Sequence, residues 1–217
     1  MSDWQALADR EESRFRDGRE RLPDEPDERQ RQLTRMANAA YGAGLARLMS
    51  GDSAVATRAF ADAAETYRAS YEHAPAGSWG RTIGAIKARL LGGDWSGAEE
   101  AAEWTLAEGA AAAESPIGRY AAALALLVLG RDADARPLAD ELRTADGFPH
   151  EVGDALAYLA GDDPVGYDEA IGAVLESFET RDEYLEDVPV ADTVLVLQAL
   201  ARRCAIEVSL ASPLLPG

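Results

Sequence analysis

Apolar residues recur along most of this chain at intervals of three and four, the spacing that lines one side of an α-helix. The stretch Tyr41–Ala64, YGAGLARLMSGDSAVATRAFADAA, sets the pattern. An apolar helical run ends at Gly51-Asp52, and an alanine-rich helical run begins at once. The same grammar returns at Leu90–Ala107, Leu124–Leu142 and Leu156–Leu175, with stops at Gly93, Gly130 and Gly161. Glycine suits the left-handed residue that closes a helix, and an Asp or Ser just after it accepts from the free N–H groups of the next.

Read in order, the pattern predicts a charged helix from Ser2 to Leu22, with Ser2 as N-cap and Trp4, Leu7, Phe15 and Leu22 on one side. Pro23-Asp24-Glu25-Pro26 ends it, because proline cannot continue a helix interior. A long helix follows from Asp27 to Ser50 on Leu33, Met36, Ala37, Ala40, Tyr41, Gly44, Leu45 and Leu48. The next runs to Tyr71 on Ala56, Phe60, Ala63, Ala64 and Tyr67. After the loop His73–Ser78 come helices over Trp79–Leu91 and Trp95–Glu108, then one from Ser115-Pro116 to Gly130. Three more span Asp134–Thr144, His150–Ala160 and Val165–Glu186, and Ala191–Cys204 makes the last, on Val194, Leu195, Leu197, Leu200 and Ala201. That makes about ten helices, followed by a tail, Val208–Gly217, expected to pack back extended over the final helices. The expectation is an all-α fold, an antiparallel helix-pair array. It forms one domain over residues 1–217, with 1–26 a capping helix, 27–204 the array and 205–217 the tail.

Composition supports helix over sheet. Hydrophobic residues make up 47% of the chain and aromatics only 7%; much of the remainder is alanine, the best helix former and a poor strand former. The net charge of −18 sharpens the picture further. One lysine, Lys87, stands against 20 arginines, and the acids number 39. That balance resembles proteins of salt-loving archaea, whose acidic surfaces stay solvated in concentrated salt, and it leaves a partner with a basic surface as the other reading. Nucleic acid is disfavoured as a partner, since phosphate contacts need clustered Lys and Arg. The arginines at 14, 16, 19, 21, 29, 31 and 35 are interleaved with acids and read as an ion-paired face. A lone cysteine, Cys204, fits a reducing interior. No signal-like or membrane-length apolar segment is present, so the expected location is the cytoplasm, with no membrane partner.

Gly51, Asp52, Ala56, Phe60 and Ala63 carry the spacing of the turn and second helix of a tetratricopeptide repeat, with small residues where two helices cross closely. Gly93, Asp94, Ala98, Ala102 and Thr105, then Gly130, Ala135, Ala139 and Leu142, repeat it with shrinking intervals. The chain thus resembles a degenerate tetratricopeptide-like α-α superhelix. Separately, Tyr167, Ala170 and Leu175, then Leu197, Ala199, Leu200 and Ala201, then Val208, Ser209, Ser212 and Pro216, resemble the C-terminal part of bacterial immunity family 49. Where that family has a glycine before its tail, this chain has Ala205. The resemblance implies an acidic helical protein that occludes a toxin and performs no catalysis.

Chemistry-bearing motifs are sparse. His73 and His150 are the two histidines, and both fall at breaks. No zinc spacing, serine elbow or phosphate loop occurs, so neither cofactor, metal nor catalytic activity is expected. Glu176, Glu179, Asp182, Glu183 and Glu186 fall at helical spacing and read as a solvated acidic face. The densest polar-aromatic segment is Tyr71, His73, Ser78, Trp79, Arg81 and Lys87, a candidate recognition surface for a protein or peptide. Arg119 and Tyr120 are expected on the same groove, since alternate helices of a solenoid line one surface. A small-molecule site, or an enzyme of unknown reaction, on the Tyr71–Lys87 surface is the alternative.

Overall fold

The computed structural model describes residues 3–217. Among the described residues there are ten α-helices and no strand, and neighbouring helices pack on one another. The helices are α1 (Trp4–Glu20), α2 (Pro26–Met49), α3 (Ser53–Tyr71), α4 (Trp79–Leu91), α5 (Trp95–Ala107), α6 (Pro116–Val128), α7 (Asp132–Leu142), α8 (His150–Ala160), α9 (Pro164–Glu179) and α10 (Asp192–Arg203). They gather into two compact units: residues 1–94 with 181–190 and 211–217, and residues 95–180 with 191–210.

In the first unit α2 is the central helix. Every residue from Ala39 to Ala46 on it is buried, and most are Ala or Gly, which lets neighbouring helices come close. A Cβ on Gly44 would stand 2.7 Å from the Phe60 ring of α3; that ring meets Tyr41 edge-on at 5.6 Å between centroids. All five apolar positions expected for α3 are buried, as are Trp79, Ile83, Ile86 and Leu90 of α4.

The face of α1 differs from the expected one. Trp4, Leu7, Phe15 and Leu22 are only half-buried, and the residues sealed against the unit are Ala8, Glu11 and Gly18. Small residues decide this: a Cβ on Gly18 would sit 2.5 Å from Met36 Cγ of α2. The N-cap expected at Ser2 lies outside the described residues; Asp3 accepts from the Ala6 N–H at 3.0 Å.

Glu11 is fully buried, and Arg10 Nε and Arg14 donate to its carboxylate at 2.6 and 2.7 Å. The same two arginines hold the strap 181–190: Arg10 donates to the Glu186 carbonyl and Arg14 to the Glu186 carboxylate. This corrects the helix expected to reach Glu186. α9 stops at Glu179, and a 3₁₀ turn at Leu185–Asp187 follows, with left-handed backbone at Glu186. The acids at 182, 183 and 186 therefore leave the helical row begun at Glu176.

In the second unit the central helix is α6, buried on every side from Tyr120 to Val128, as a helix apolar all round must be. Ala98, Ala101, Ala102 and Thr105 of α5 and Tyr167, Ala170, Ile171, Val174, Leu175 and Phe178 of α9 are buried. On α10 Val196 is buried where Leu195 was expected; Leu195 is half-exposed. Arg203 lies over the Trp95 ring at 5.1 Å and pairs with Glu99 at 3.3 Å, tying α10 to α5. Only the start of the tail joins this unit, through Gln198 Nε2 donating to the Val208 carbonyl at 3.2 Å. Residues 211–217, expected over the final helices, group with the first unit, where Leu215 is buried.

Five helix ends close in one way. A left-handed residue donates to the carbonyl three before it, and its successor donates to the carbonyl five back, as in Gly51→Leu48 at 3.1 Å and Asp52→Arg47 at 3.0 Å. Gly93 and Gly130 repeat it. In the last two the left-handed residues are Asp162, with φ 51°, and Ala205, with φ 58°. Gly161, the expected stop, has φ −96° and sits one residue early.

Candidate functional site

The Tyr71–Lys87 segment lies wholly in the first unit. Tyr71 ends α3 and is half-buried, His73 is exposed in the following turn, and Lys87 is half-buried on α4. The Ser78 hydroxyl donates to the Pro75 carbonyl at 2.6 Å and leaves the start of α4 without a side-chain cap. Trp79 is core, 8% exposed. Arg81 turns into the seam of α2, α3 and α4: Nε donates to Ser70 Oγ at 2.8 Å and the guanidinium donates to Gln30 Oε1. Ser70 Oγ in turn donates to the Gln30 carbonyl at 2.7 Å and lies 2.8 Å from Thr34 Oγ1. Burial there lowers the Arg81 pKa from its ordinary value. Neutral acceptors satisfy a cation that an ion pair would otherwise hold, so Trp79 and Arg81 serve as packing and rivet.

Arg119 and Tyr120 lie in the second unit. Arg119 Nε pairs with Glu141 at 2.9 Å. Tyr120 is 7% exposed, with its ring 5.4 Å from that of Phe148. That pair forms the floor of a groove of about 470 Å³ walled by Pro116, Ile117, Pro149 and Val152, with Asp146 and Thr193 at its polar edge. Two proline-started helices create it. Ser115 caps α6 by accepting from the Gly118 N–H at 3.2 Å, with Pro116 in the first turn, where no N–H is needed. Ile117 is thereby left 45% exposed. Gly147, with φ 76°, turns the chain so that Phe148-Pro149 enters α8 over the same spot.

The start of α8 is braced. His150 Nδ1 lies 2.8 Å from the Arg143 carbonyl, and Arg143 Nε donates to Asp154 at 2.6 Å while its guanidinium lies 5.3 Å over the Tyr158 ring. Ile117, Phe148, Pro149 and Val152 were not among the residues the sequence singled out. The available signal was a large apolar residue beside each helix-starting proline.

Searches against family models, curated proteins and solved structures returned no match to this chain. Among the described residues no group of three His, Cys, Asp or Glu side chains is placed to hold a metal ion. No helix among them is long and apolar enough to cross a membrane.

Proposed function

We propose that this chain is a non-catalytic, tetratricopeptide-like helical-repeat protein that binds a protein or peptide. Its groove between the starts of α6 and α8 takes an apolar side chain from a basic partner. The observation that carries this is the groove itself: open, apolar, floored by Tyr120 and Phe148, with Ile117 left 45% exposed at its wall. Aromatic-lined recesses of this kind are where interfaces concentrate their energy. A net charge of −18 favours and steers a basic partner.

The narrower version is an immunity-type inhibitor acting in the cytoplasm; it rests on the resemblance of residues 167–216 to immunity family 49. The acidic surface with its single lysine supports the salt-adapted reading beside it. The alternative, a small-molecule or enzymatic site at Tyr71–Lys87, has less support, because Trp79 and Arg81 are engaged in packing and in the α2–α3–α4 seam.

The test is selection of peptides against the full chain in molar salt, followed by titration of the winners against variants. Selected peptides should carry an aromatic or branched aliphatic residue flanked by Arg or Lys. Ile117→Glu and Phe148→Ala should each weaken binding at least tenfold, about 1.4 kcal/mol. Binding that survives both substitutions and is lost on His73→Ala would move the site to the first unit. A secreted-toxin gene beside this one, with its product captured by the chain, would select the immunity reading.

A further inference from the structure

A second recess in the second unit has a different chemistry. It encloses about 200 Å³ between Tyr167 of α9, Gln198 and Arg202 of α10, and the returning chain at Glu207 and Ser209. The turn at Ala205 folds that chain back, and Gln198 pins it at the Val208 carbonyl. Tyr167 is fully buried. Among the described residues its hydroxyl is the buried side-chain polar atom without a hydrogen-bond partner. Buried hydroxyls are almost always paired, and leaving one unpaired costs stability, so an orphan beside a polar recess points to a partner the chain itself does not supply.

The lining states what that partner needs. Burial pushes the Tyr167 phenol far above its ordinary range, with the Arg202 charge acting in the opposite direction. The group is therefore a neutral donor at any working pH. Arg202 and Glu207 are both exposed at the recess, and among the described residues neither is held in an ion pair. A simple anion would satisfy Arg202 and be repelled by Glu207; a simple cation would do the reverse. The volume admits roughly six waters at ~30 Å³ each, or a molecule of about six to eight non-hydrogen atoms.

We propose that this recess binds a small zwitterion of amino-acid size. Its carboxylate is taken by Arg202 and the Tyr167 hydroxyl, and its ammonium by Glu207. The site lies apart from the α6–α8 groove in its lining residues, and it stands or falls independently of that reading.

Calorimetric titration of the full chain at fixed ionic strength tests it, with glycine, alanine, acetate and ethylammonium as probes. The amino acids should bind, and acetate and ethylammonium should each bind at least tenfold more weakly. Tyr167→Phe should cost about tenfold in amino-acid affinity, the worth of one hydrogen bond. Arg202→Gln and Glu207→Gln, both on exposed side chains, should cost at least as much without altering the thermal transition. Ile117→Glu should change nothing. No binding of either amino acid would overturn the proposal, as would acetate binding equal to glycine and indifferent to Glu207→Gln. A Tyr167→Phe chain that melts higher with or without amino acid would also overturn it, since the hydroxyl would then be facing a dry void.

Discussion

Ala205 holds a left-handed backbone that costs an L-residue about 1–2 kcal/mol, where glycine pays only its smaller entropic cost. Its N–H and that of Ile206 close α10 just as Gly51 and Asp52 close α2. Ala205→Gly should therefore stabilise the chain by about 0.5–1 kcal/mol in urea unfolding. Gly51→Ala, at a site with open space around it but φ 82°, should lose a similar amount. Equal midpoints for Ala205→Gly and the parent would show that the strain is not there. Gly51, Gly93 and Gly130 were legible in the sequence because a helix end that needs positive φ nearly always recruits glycine. Asp162 was not, because aspartate also tolerates the left-handed region and the adjacent Gly161 drew the prediction one residue early.

At the scale of elements, helix spacing depends on which glycines face a neighbour. A Cβ on Gly153 of α8 would meet the Arg143 backbone nitrogen at 2.7 Å and the Leu142 carbonyl carbon at 2.8 Å, backbone that cannot step aside. Gly153→Ala should cost about 1–3 kcal/mol by overpacking α7 against α8. Gly172→Ala on α9, where a Cβ meets nothing within 4 Å, should instead gain up to about 1 kcal/mol of helix propensity. Thermal midpoints moving in opposite directions would check both. The apolar period located nearly every helix and most core faces. It failed on α1, where the buried positions are an alanine, a glycine and a carboxylate, residues that a count of large apolar side chains passes over. It also failed on the end of α9, because periodic acids continue past Thr180 while long-range bonds from Arg10 and Arg14 pull Glu186 out of helix. Of the groove's lining only Tyr120 stood out in the sequence, and there as part of the Tyr71–Lys87 surface, whereas Phe148 meets it only through tertiary packing.

For the whole molecule the dominant quantity is a net charge of −18 on 217 residues. Pairs such as Arg131–Asp134 and Arg136–Asp140 are exposed and contribute little each, so self-repulsion among the surplus acids is the larger effect. Screening shortens its range to about 8 Å at 0.15 M salt and about 3 Å at 1 M. The melting temperature should rise steadily between about 0.1 and 2 M potassium chloride. A midpoint independent of salt would remove the salt-adapted reading and leave a basic partner as the reason for the charge.

The membership of the two units carries a consequence for the order in which the protein is made. Residues 1–94 leave the ribosome well before the strap that Arg10 and Arg14 grip, which arrives only after α5 to α9 have been synthesised, and residues 211–217 follow later still. Neither unit can be completed by translating one continuous stretch. Until the strap arrives, Gly42, whose would-be Cβ lies 3.4 Å from both Glu11 and Glu186, lacks half of its cover. A gene split after Asp94 would encode two incomplete halves.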